Sequence, residues 1–197
     1  MDMILQAKDV KKSFKNNDVL KGISFEIKKN SVVGFIGNNG AGKTTTMKII
    51  LGLMKQDSGS VNVLGEKVLY GNTATNRHIG YLPDVPAFYP YLSPLEYLKF
   101  CAEITSVDKK HINERVKELI KFVGIEKSAK RKIGGFSRGM IQRLGIAQAL
   151  INKPELLICD EPTSALDPIG RAEVLDLLHN IKGETTVFFS THILSDI

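Results

Sequence analysis

An eight-residue segment, Gly37-Asn38-Asn39-Gly40-Ala41-Gly42-Lys43-Thr44, has the residue types and the spacing of a phosphate-binding loop. An apolar run over residues 32–36 precedes it, as a strand does in such loops. The glycines let the backbone turn tightly enough for successive N–H groups to point at phosphate oxygens. An ordinary glycine-rich turn would not require all of these positions. The segment therefore predicts that the chain binds a nucleoside triphosphate.

The residues that end this loop are suited to hold phosphates and a divalent cation. Lys43 is placed to reach the β and γ phosphates, and the Thr44 hydroxyl is placed to bind Mg²⁺. The same residues begin a predicted helix, whose positive N-terminal dipole lies beneath the anion. We expect one continuous segment to bind the phosphates, namely Gly37, Asn38, Asn39, Gly40, Ala41, Gly42, Lys43, Thr44 and Thr45.

Two adjacent carboxylates, Asp160 and Glu161, follow a short apolar run over residues 156–159. In an open α/β sheet, ligands bind at the carboxyl ends of the strands. There Asp160 would hold the Mg²⁺ that Thr44 also contacts, and Glu161 would orient and polarise a water aimed at the γ-phosphorus. Acids at a strand end also serve solubility, but the phosphate-binding loop favours the catalytic interpretation.

Residues 160–167, Asp-Glu-Pro-Thr-Ser-Ala-Leu-Asp, resemble the Walker B segment and D-loop of ATP-binding cassette (ABC) ATPases. Residues 136–143, Phe-Ser-Arg-Gly-Met-Ile-Gln-Arg, resemble the signature motif that separates this family from other phosphate-loop enzymes. Residues 190–192, Ser-Thr-His, resemble its switch-histidine segment. The segments occur in family order over nearly the whole chain, so the resemblance implies an ATPase that uses ATP and Mg²⁺.

The resemblance also implies roles for residues outside the loop. Ser137 and the Gly139 amide, at the start of a predicted helix, would bind the γ-phosphate held by an opposite subunit, a second copy or a paralogue. His192 would hydrogen-bond the γ-phosphate, and Phe14 would stack on adenine. At this stage Ser137 could instead be only a helix cap, His192 a solvent-facing side chain and Phe14 a core residue.

Some positions depart from the family pattern. Asp84 stands where the family normally offers glutamine to Mg²⁺ and water, and we expect the shorter acid to reach the metal through water. Arg138 replaces a usual glycine of the signature and Met140 a usual glutamine, so the Arg138 side chain must turn away for the phosphate contact to close. The chain stops soon after His192, and we expect a C-terminal part of the family domain to be missing.

Apolar periodicity predicts an α/β fold: a phosphate-loop NTPase core with a parallel central sheet, an N-terminal antiparallel β part and an inserted helical subdomain. We expect one domain over residues 1–197, with a core of 1–87 and 152–197 and a helical subdomain of 88–151. Strands are predicted near residues 4–10, 23–27, 32–36, 60–64, 79–82, 155–159 and 185–189, and helices over 43–53, 94–104, 108–123 and 168–180.

Composition bounds the function. The chain has 197 residues and a net charge of +6, enough for a buried core and only moderately basic. Its densest basic stretch, over residues 127–132, has no interleaved aromatic residues for stacking on bases, so we expect no nucleic-acid partner. Cys101 and Cys159 are far apart, and the four histidines lack metal-ligand spacing, which argues against disulfides and structural zinc.

If this protein works at a membrane, another chain must cross the bilayer, because no apolar run here approaches the ~18 residues that a span requires. We expect an integral-membrane permease subunit as partner and a peripheral location on the cytoplasmic face. Phe88, Tyr89 and Tyr91, in a proline-stiffened loop, lie in the neighbourhood that meets the membrane partner in the family, although each could instead pack in the helical subdomain.

The sequence therefore favours an ATP-hydrolysing subunit that powers a membrane transporter through nucleotide-dependent dimer closure, with export preferred. One alternative is a soluble ABC ATPase acting on ribosomes, DNA or cofactor assembly, and another is a weakly catalytic regulatory module, which the departures at Asp84 and Arg138 leave open. A phosphate-loop kinase or small GTPase would not require the signature segment, and no suitably placed Asn-Lys-x-Asp motif supports one.

Overall fold

The structure is a computed structural model that describes residues 2–15, 17–105, 107–181 and 183–196. Its strands are β1 (Met3–Phe14), β2 (Asn17–Lys28), β3 (Val32–Ile36), β4 (Ser58–Val63), β5 (Glu66–Lys67), β6 (Ile79–Leu82), β7 (Leu156–Cys159) and β8 (Thr186–Thr191). Its α-helices are α1 (Lys43–Ile50), α2 (Pro94–Ile104), α3 (Ile112–Phe122), α4 (Arg138–Ala149) and α5 (Pro168–Asn180).

The strands form two sheets of different kinds. The N-terminal sheet is antiparallel where β1 pairs with β2 and β4, and its order is β2-β1-β4-β5. The second sheet is parallel, with the order β3-β8-β7-β6. Helices α2, α3 and α4 fall between β6 and β7 in the chain. The predicted α/β fold class, with a parallel sheet and an N-terminal antiparallel part, is confirmed.

Each face of the parallel sheet is covered by its own hydrophobic core, because successive side chains of a strand point to opposite faces. Leu156 and Phe188 belong to a core shared with α1 and the antiparallel sheet. Leu157 and Phe189 belong to a core shared with helices α2 to α5. A sheet buried on both faces explains the continuous apolar runs in β7 and β8. The buried sheet is also a rigid support for the residues that follow its strands.

The carboxyl ends of the parallel strands meet at one edge of this sheet. Ile36 is paired with Thr191, and Leu82 is paired with Cys159. The residues that follow these strands therefore lie side by side, although they come from distant parts of the chain. These segments begin at residues 37, 83, 160 and 192.

Local sequence sets where several helices begin. Ser93 and Glu96 form a capping box at α2, in which Glu96 Oε2 accepts a hydrogen bond from the Ser93 N–H at 2.8 Å. Asp167 caps α5, with Pro168 at its first position. Both helices have the predicted bounds.

Other predicted bounds were wrong. Helix α1 ends at Ile50 rather than Leu53, because Gly52 takes a φ of 68° and closes the helix. Helix α3 begins at Ile112 rather than Asp108, because the Asp108 carboxylate accepts a hydrogen bond from the Lys110 N–H in a turn that competes with the helix. None of the helices in the described ranges has the length and apolar character needed to cross a bilayer.

Candidate active site

The phosphate-binding loop joins β3 to α1 at the shared sheet edge. Gly40 and Gly42 have φ angles of 83° and 90°, which glycine adopts without strain. A Cβ at Gly42 would lie 2.6 Å from Leu20 Cδ2, so the Leu20 side chain would have to shift to admit another residue there. The Gly37 N–H donates to the Thr191 carbonyl oxygen at 3.2 Å. The start of the loop is therefore fixed to the end of β8.

Lys43 is buried, and its ammonium group lies between the loop and Glu161. Its Nζ donates to the carbonyl oxygens of Gly37 and, at 3.1 Å, of Asn38. The same Nζ lies 3.0 Å from Glu161 Oε1. A buried ammonium needs such partners to offset the loss of water. The structure thus brings the predicted phosphate-binding lysine into direct contact with the predicted catalytic carboxylate.

The second carboxylate oxygen of Glu161 contacts His192. Glu161 Oε2 lies 2.7 Å from His192 Nδ1. The Glu161 side chain is 13% exposed and the His192 side chain 40%, so the pair opens to solvent on the histidine side. His192 is therefore more than a solvent-facing side chain. Lys43, Glu161 and His192 form a continuous chain of contacts at the sheet edge.

A buried serine fixes the backbone of Glu161. The Glu161 N–H donates to Ser190 Oγ at 2.9 Å, and the Ser190 hydroxyl donates to Asp160 Oδ1 at 2.7 Å. Glu161 has a φ of 50°, an uncommon left-handed conformation for a residue with a Cβ. Such backbone outliers persist where surrounding contacts fix them, and they cluster at functional sites. Here the Ser190 contact helps to fix the conformation.

The chemistry of Asp160 and Thr44 fits a divalent cation. Asp160 is 2% exposed, and among the described residues no cationic side chain lies within ion-pairing distance of its carboxylate. A buried charge without a counter-ion is costly, and hydroxyl and carboxylate oxygens are ligands that Mg²⁺ accepts. Within the described ranges no group of three or more His, Cys, Asp or Glu side chains is arranged to hold a metal by itself. Substrate phosphates would have to complete such a site.

Asp84 lies beside Arg138 of the same subunit. The Asp84 Oδ1 and Arg138 Nη2 atoms are 3.9 Å apart, and both side chains are close to half exposed. The Arg138 side chain thus turns toward Asp84, at the sheet edge. The metal role of Asp84 stays a prediction.

Two groups near the carboxylates hold their protons. Burial, followed by the neighbouring Asp160 carboxylate, raises the pKa of Tyr81 to about 12. Burial raises the pKa of the Cys159 thiol well above its ordinary range. The Cys159 side chain is fully buried in the core, as predicted. Neither group supplies a base near neutral pH.

Ser137 and Gly139 stand at the exposed start of α4. Ser137 caps the helix, since its Oγ accepts from the Met140 N–H at 3.4 Å. An added Cβ at Gly139 would meet nothing within 4 Å. The helix cap is confirmed, and the open space at Gly139 leaves room for a ligand from outside the subunit.

The aromatic residues singled out in the sequence divide into exposed and packed ones. Phe14 is 42% exposed, belongs to neither core, and has Lys12 Nζ 5.4 Å from its ring centre. Phe88 packs edge-on against Tyr97, with ring centres 5.0 Å apart. Tyr89 and Tyr91 are 47% and 63% exposed. Core packing therefore accounts for Phe88 but not for Phe14, Tyr89 or Tyr91.

A sequence profile described as "ABC transporter" matches residues 20–164, most of the chain. This chain belongs to the ABC transporter family. The match includes the phosphate-binding loop, the signature segment and the Asp160–Glu161 pair. The family suggested by the sequence motifs is confirmed.

Relatives of known sequence are ATP-binding proteins of transporters. The chain is 45% identical over 193 residues to YxlF of Bacillus subtilis, an uncharacterised ABC transporter ATP-binding protein, and 41% identical over 199 residues to the bacitracin transport ATP-binding protein BcrA of Bacillus licheniformis. The alignments cover 98% and 100% of this chain but 64% of each relative. The chain thus spans less than two thirds of the length of these relatives.

Solved structures of cassettes share the fold. The chain superposes on cbiO1 from Clostridium perfringens, part of the ABC transporter complex cbiONQ, with a TM-score of 0.90, 28% identity and coverage of 100% and 81% of the two chains. It superposes on the cassette MJ0796, in a dimeric post-hydrolysis state with ADP and Pi, with a TM-score of 0.85, 26% identity and coverage of 98% and 89%.

Sequence reasoning missed three supporting residues. Ser190 and Thr163 lie within the resembling segments, but the sequence predicts no role for either side chain, nor for Asp196. Their signal in the sequence is weak, because small polar residues beside motifs also occur in loops. The structure buries all three, and each makes side-chain hydrogen bonds beside the site.

Proposed function

We propose that this chain binds ATP with Mg²⁺ and hydrolyses it as the nucleotide-binding subunit of a membrane transporter. The observation that carries the proposal is the placement of Glu161, 3.0 Å from Lys43 and 2.7 Å from His192, beside the phosphate-binding loop. In-line hydrolysis needs three kinds of group: a lysine that binds the phosphates, a carboxylate that orients the attacking water, and a histidine that contacts the γ-phosphate.

The loop would hold the phosphates through backbone N–H groups and the start of α1, and Phe14 would stack on adenine. Bound phosphates compete with Glu161 for Lys43, so the lysine leaves the carboxylate as ATP binds. Glu161 is then free to accept a proton from a water molecule aimed at the γ-phosphorus. The phosphate-binding residues in this proposal are Gly37, Asn38, Asn39, Gly40, Ala41, Gly42, Lys43, Thr44 and Thr45.

Thr44 and Asp160 would hold Mg²⁺, with Asp84 contributing through water. The ion, when bound, neutralises the charge that develops on the β and γ phosphate oxygens. The Ser190 hydroxyl, which donates to Asp160 Oδ1, orients this carboxylate.

His192 would act as the γ-phosphate sensor. A carboxylate accepts hydrogen bonds, so Nδ1 would donate to Glu161 Oε2, 2.7 Å away. This contact holds the imidazole ring beside the proposed catalytic carboxylate.

Ser137 and Gly139 would act on the nucleotide of a second subunit, a copy of this chain or a paralogue. Ser137 is exposed at the N-terminal end of α4 and Gly139 lies in its first turn, a position that suits an anion held by a partner subunit. The dimeric state of the related cassette MJ0796 supports this arrangement. ATP would bind the closed dimer better than the open one, and hydrolysis would remove that bias.

We propose that dimer closure drives transport through the partner permease, and that the direction of transport is export. Support comes from the bacitracin transport protein BcrA and from the linearmycin resistance protein LnrL of Bacillus subtilis, 38% identical over 196 residues. We place the subunit on the cytoplasmic face, where the helical subdomain, residues 88–151, would meet a permease through the exposed Tyr89 and Tyr91. The core would comprise residues 1–87 and 152–197.

Phosphate release from ATP tests the proposal. We expect the purified chain to hydrolyse ATP in the presence of Mg²⁺, and Glu161→Gln to lower turnover at least about 100-fold, because the amide cannot accept the proton of water. Glu184→Gln is a matched control, since Glu184 is an exposed acid away from the site. Equal turnover by the Glu161→Gln variant would contradict the assignment.

A further inference from the structure

A buried carboxylate lies behind the proposed active site. Asp196 belongs to a short 3₁₀ turn after β8, and its side chain has no exposed surface. Its Oδ2 accepts hydrogen bonds from Thr163 Oγ1 at 2.7 Å and from Thr191 Oγ1 at 2.8 Å. Both threonines are fully buried as well. One oxygen atom therefore joins two segments that are far apart in the chain.

Each of the two threonines stands next to a residue of the proposed site. Thr163 follows Glu161 by two positions, in the turn that the Ser164 N–H closes on the Glu161 carbonyl oxygen at 3.0 Å. Thr191 immediately precedes His192, and its Oγ1 accepts from the Ile193 N–H at 3.0 Å. Thr191 and Ile193, which flank His192 in the chain, are thus held by one hydrogen-bond network.

A third segment faces the free side of this carboxylate. Arg171, in the first turn of α5, has its Nε 4.0 Å from Asp196 Oδ1, and neither atom has a hydrogen-bond partner among the described residues. A buried carboxylate is costly unless donors and a counter-charge surround it. Here two hydroxyl donors and one guanidinium surround it, and both hydroxyls come from segments that adjoin Glu161 or His192.

We infer that Asp196 is a positioning residue, which sets the contact between Glu161 and His192 by holding Thr163 and Thr191 on one oxygen. The inference rests on the proposed function for its effect on turnover. The inference also states that loss of either threonine hydroxyl alters the contact between Glu161 and His192, and this part does not depend on ATP hydrolysis.

Nuclear magnetic resonance of the histidine side chains tests the geometry. We expect Thr163→Val and Thr191→Val, which nearly preserve shape, each to shift the ring-nitrogen signals of His192 in the direction that Glu161→Gln shifts them. His192→Gln identifies these signals. Thr185→Val is the matched control, because Thr185 is a buried threonine whose hydroxyl donates to the Pro154 carbonyl oxygen at 2.9 Å, away from the site. Wild-type His192 signals in both test variants would overturn the inference.

Turnover provides the second readout. We expect kcat to fall between about tenfold and 100-fold in Thr163→Val and Thr191→Val, as for a displaced catalytic group. The KM for ATP and the number of nucleotides bound per chain should stay at the wild-type values, which a partly unfolded protein would not show. Asp196→Asn, which keeps an acceptor oxygen, should retain more turnover than Asp196→Ala.

The two proposals fail in different ways. Unchanged kcat in the threonine variants, with an active wild-type chain, would overturn the role of Asp196 and leave the ATPase intact. An inactive wild-type chain whose His192 signals still respond to Thr163→Val would instead contradict the proposed function and support the positioning role.

Discussion

Glu161 is the residue at which the contacts of the site converge. Its two carboxylate oxygens contact Lys43 and His192, and its N–H donates to Ser190. The Lys43 contact places a negative charge where phosphates would bind. The carboxylate that we assign to activating water therefore also opposes the binding of substrate.

This conflict predicts that Glu161→Gln binds ATP more tightly than the wild-type chain. Removing the charge frees Lys43 and ends the repulsion of phosphate, and we expect a gain of about 1 kcal/mol, between threefold and tenfold in Kd. Calorimetric titration with a non-hydrolysable ATP analogue measures it without turnover. Glu184→Gln, which removes the same charge from an exposed acid away from the site, is the control and should bind the analogue as the wild type does. Weaker binding by Glu161→Gln would contradict the electrostatic argument.

At the residue scale, the sequence predicts the groups that we assign to phosphate, metal and water, but not the groups that hold them in place. Lys43, Asp160 and Glu161 belong to motifs whose spacing follows from phosphate chemistry, so the sequence predicts them. The contact of Asp196 with Thr163 depends on the path of the chain over more than thirty residues. Such a pairing has no local pattern, and only the folded structure reveals it.

At the scale of elements, the close contact between β6 and the end of α4 joins the parallel sheet to the helical segment. Gly80 in β6 makes this contact possible, because a Cβ there would lie 2.1 Å from the Ala149 carbonyl oxygen. Backbone cannot move away as easily as the end of a flexible side chain. The sheet and the helix approach closely only because residue 80 has no side chain.

We therefore predict that Gly80→Ala destabilises the protein, by about 3 kcal/mol in unfolding free energy, near the upper end for overpacked cores. Denaturant unfolding measures the change. Gly139→Ala is the matched control: its Cβ would meet nothing within 4 Å, and we expect a change below about 1 kcal/mol. Equal stability of the Gly80→Ala variant and the wild type would show that the two elements separate at little cost.

Apolar periodicity predicts most of the elements, and capping residues predict where helices α2 and α5 begin. Helices α2 and α5 have the expected bounds because Ser93, Pro94, Asp167 and Pro168 are strong local signals. Strand β8 runs on to Thr191 rather than ending at Phe189, since Thr191 pairs with Ile36 of a distant strand. A strand continues as long as it pairs with its neighbour in the sheet, so the apolar pattern of one segment does not determine where that strand ends.

At the scale of the whole molecule, one sheet edge collects the loop, the carboxylates and the switch histidine. The signature residues Ser137 and Gly139, at the start of α4, do not belong to the chain of contacts that Lys43, Glu161 and His192 form. We therefore propose that each complete site needs two subunits, and that neither half of the site hydrolyses ATP alone.

Turnover by a mixture of two inactive variants distinguishes a shared site from a site complete in one subunit. Lys43→Ala removes phosphate binding, whereas Ser137→Asp keeps a good helix cap but places a negative charge against the partner's γ-phosphate. Each variant alone should hydrolyse ATP at least about tenfold more slowly than the wild type. In a mixed dimer, the loop of the Ser137→Asp chain meets the intact signature of the Lys43→Ala chain. We expect mixing to restore turnover. A mixture no faster than the sum of its parts, beside an active wild type, would show that the site does not need two subunits.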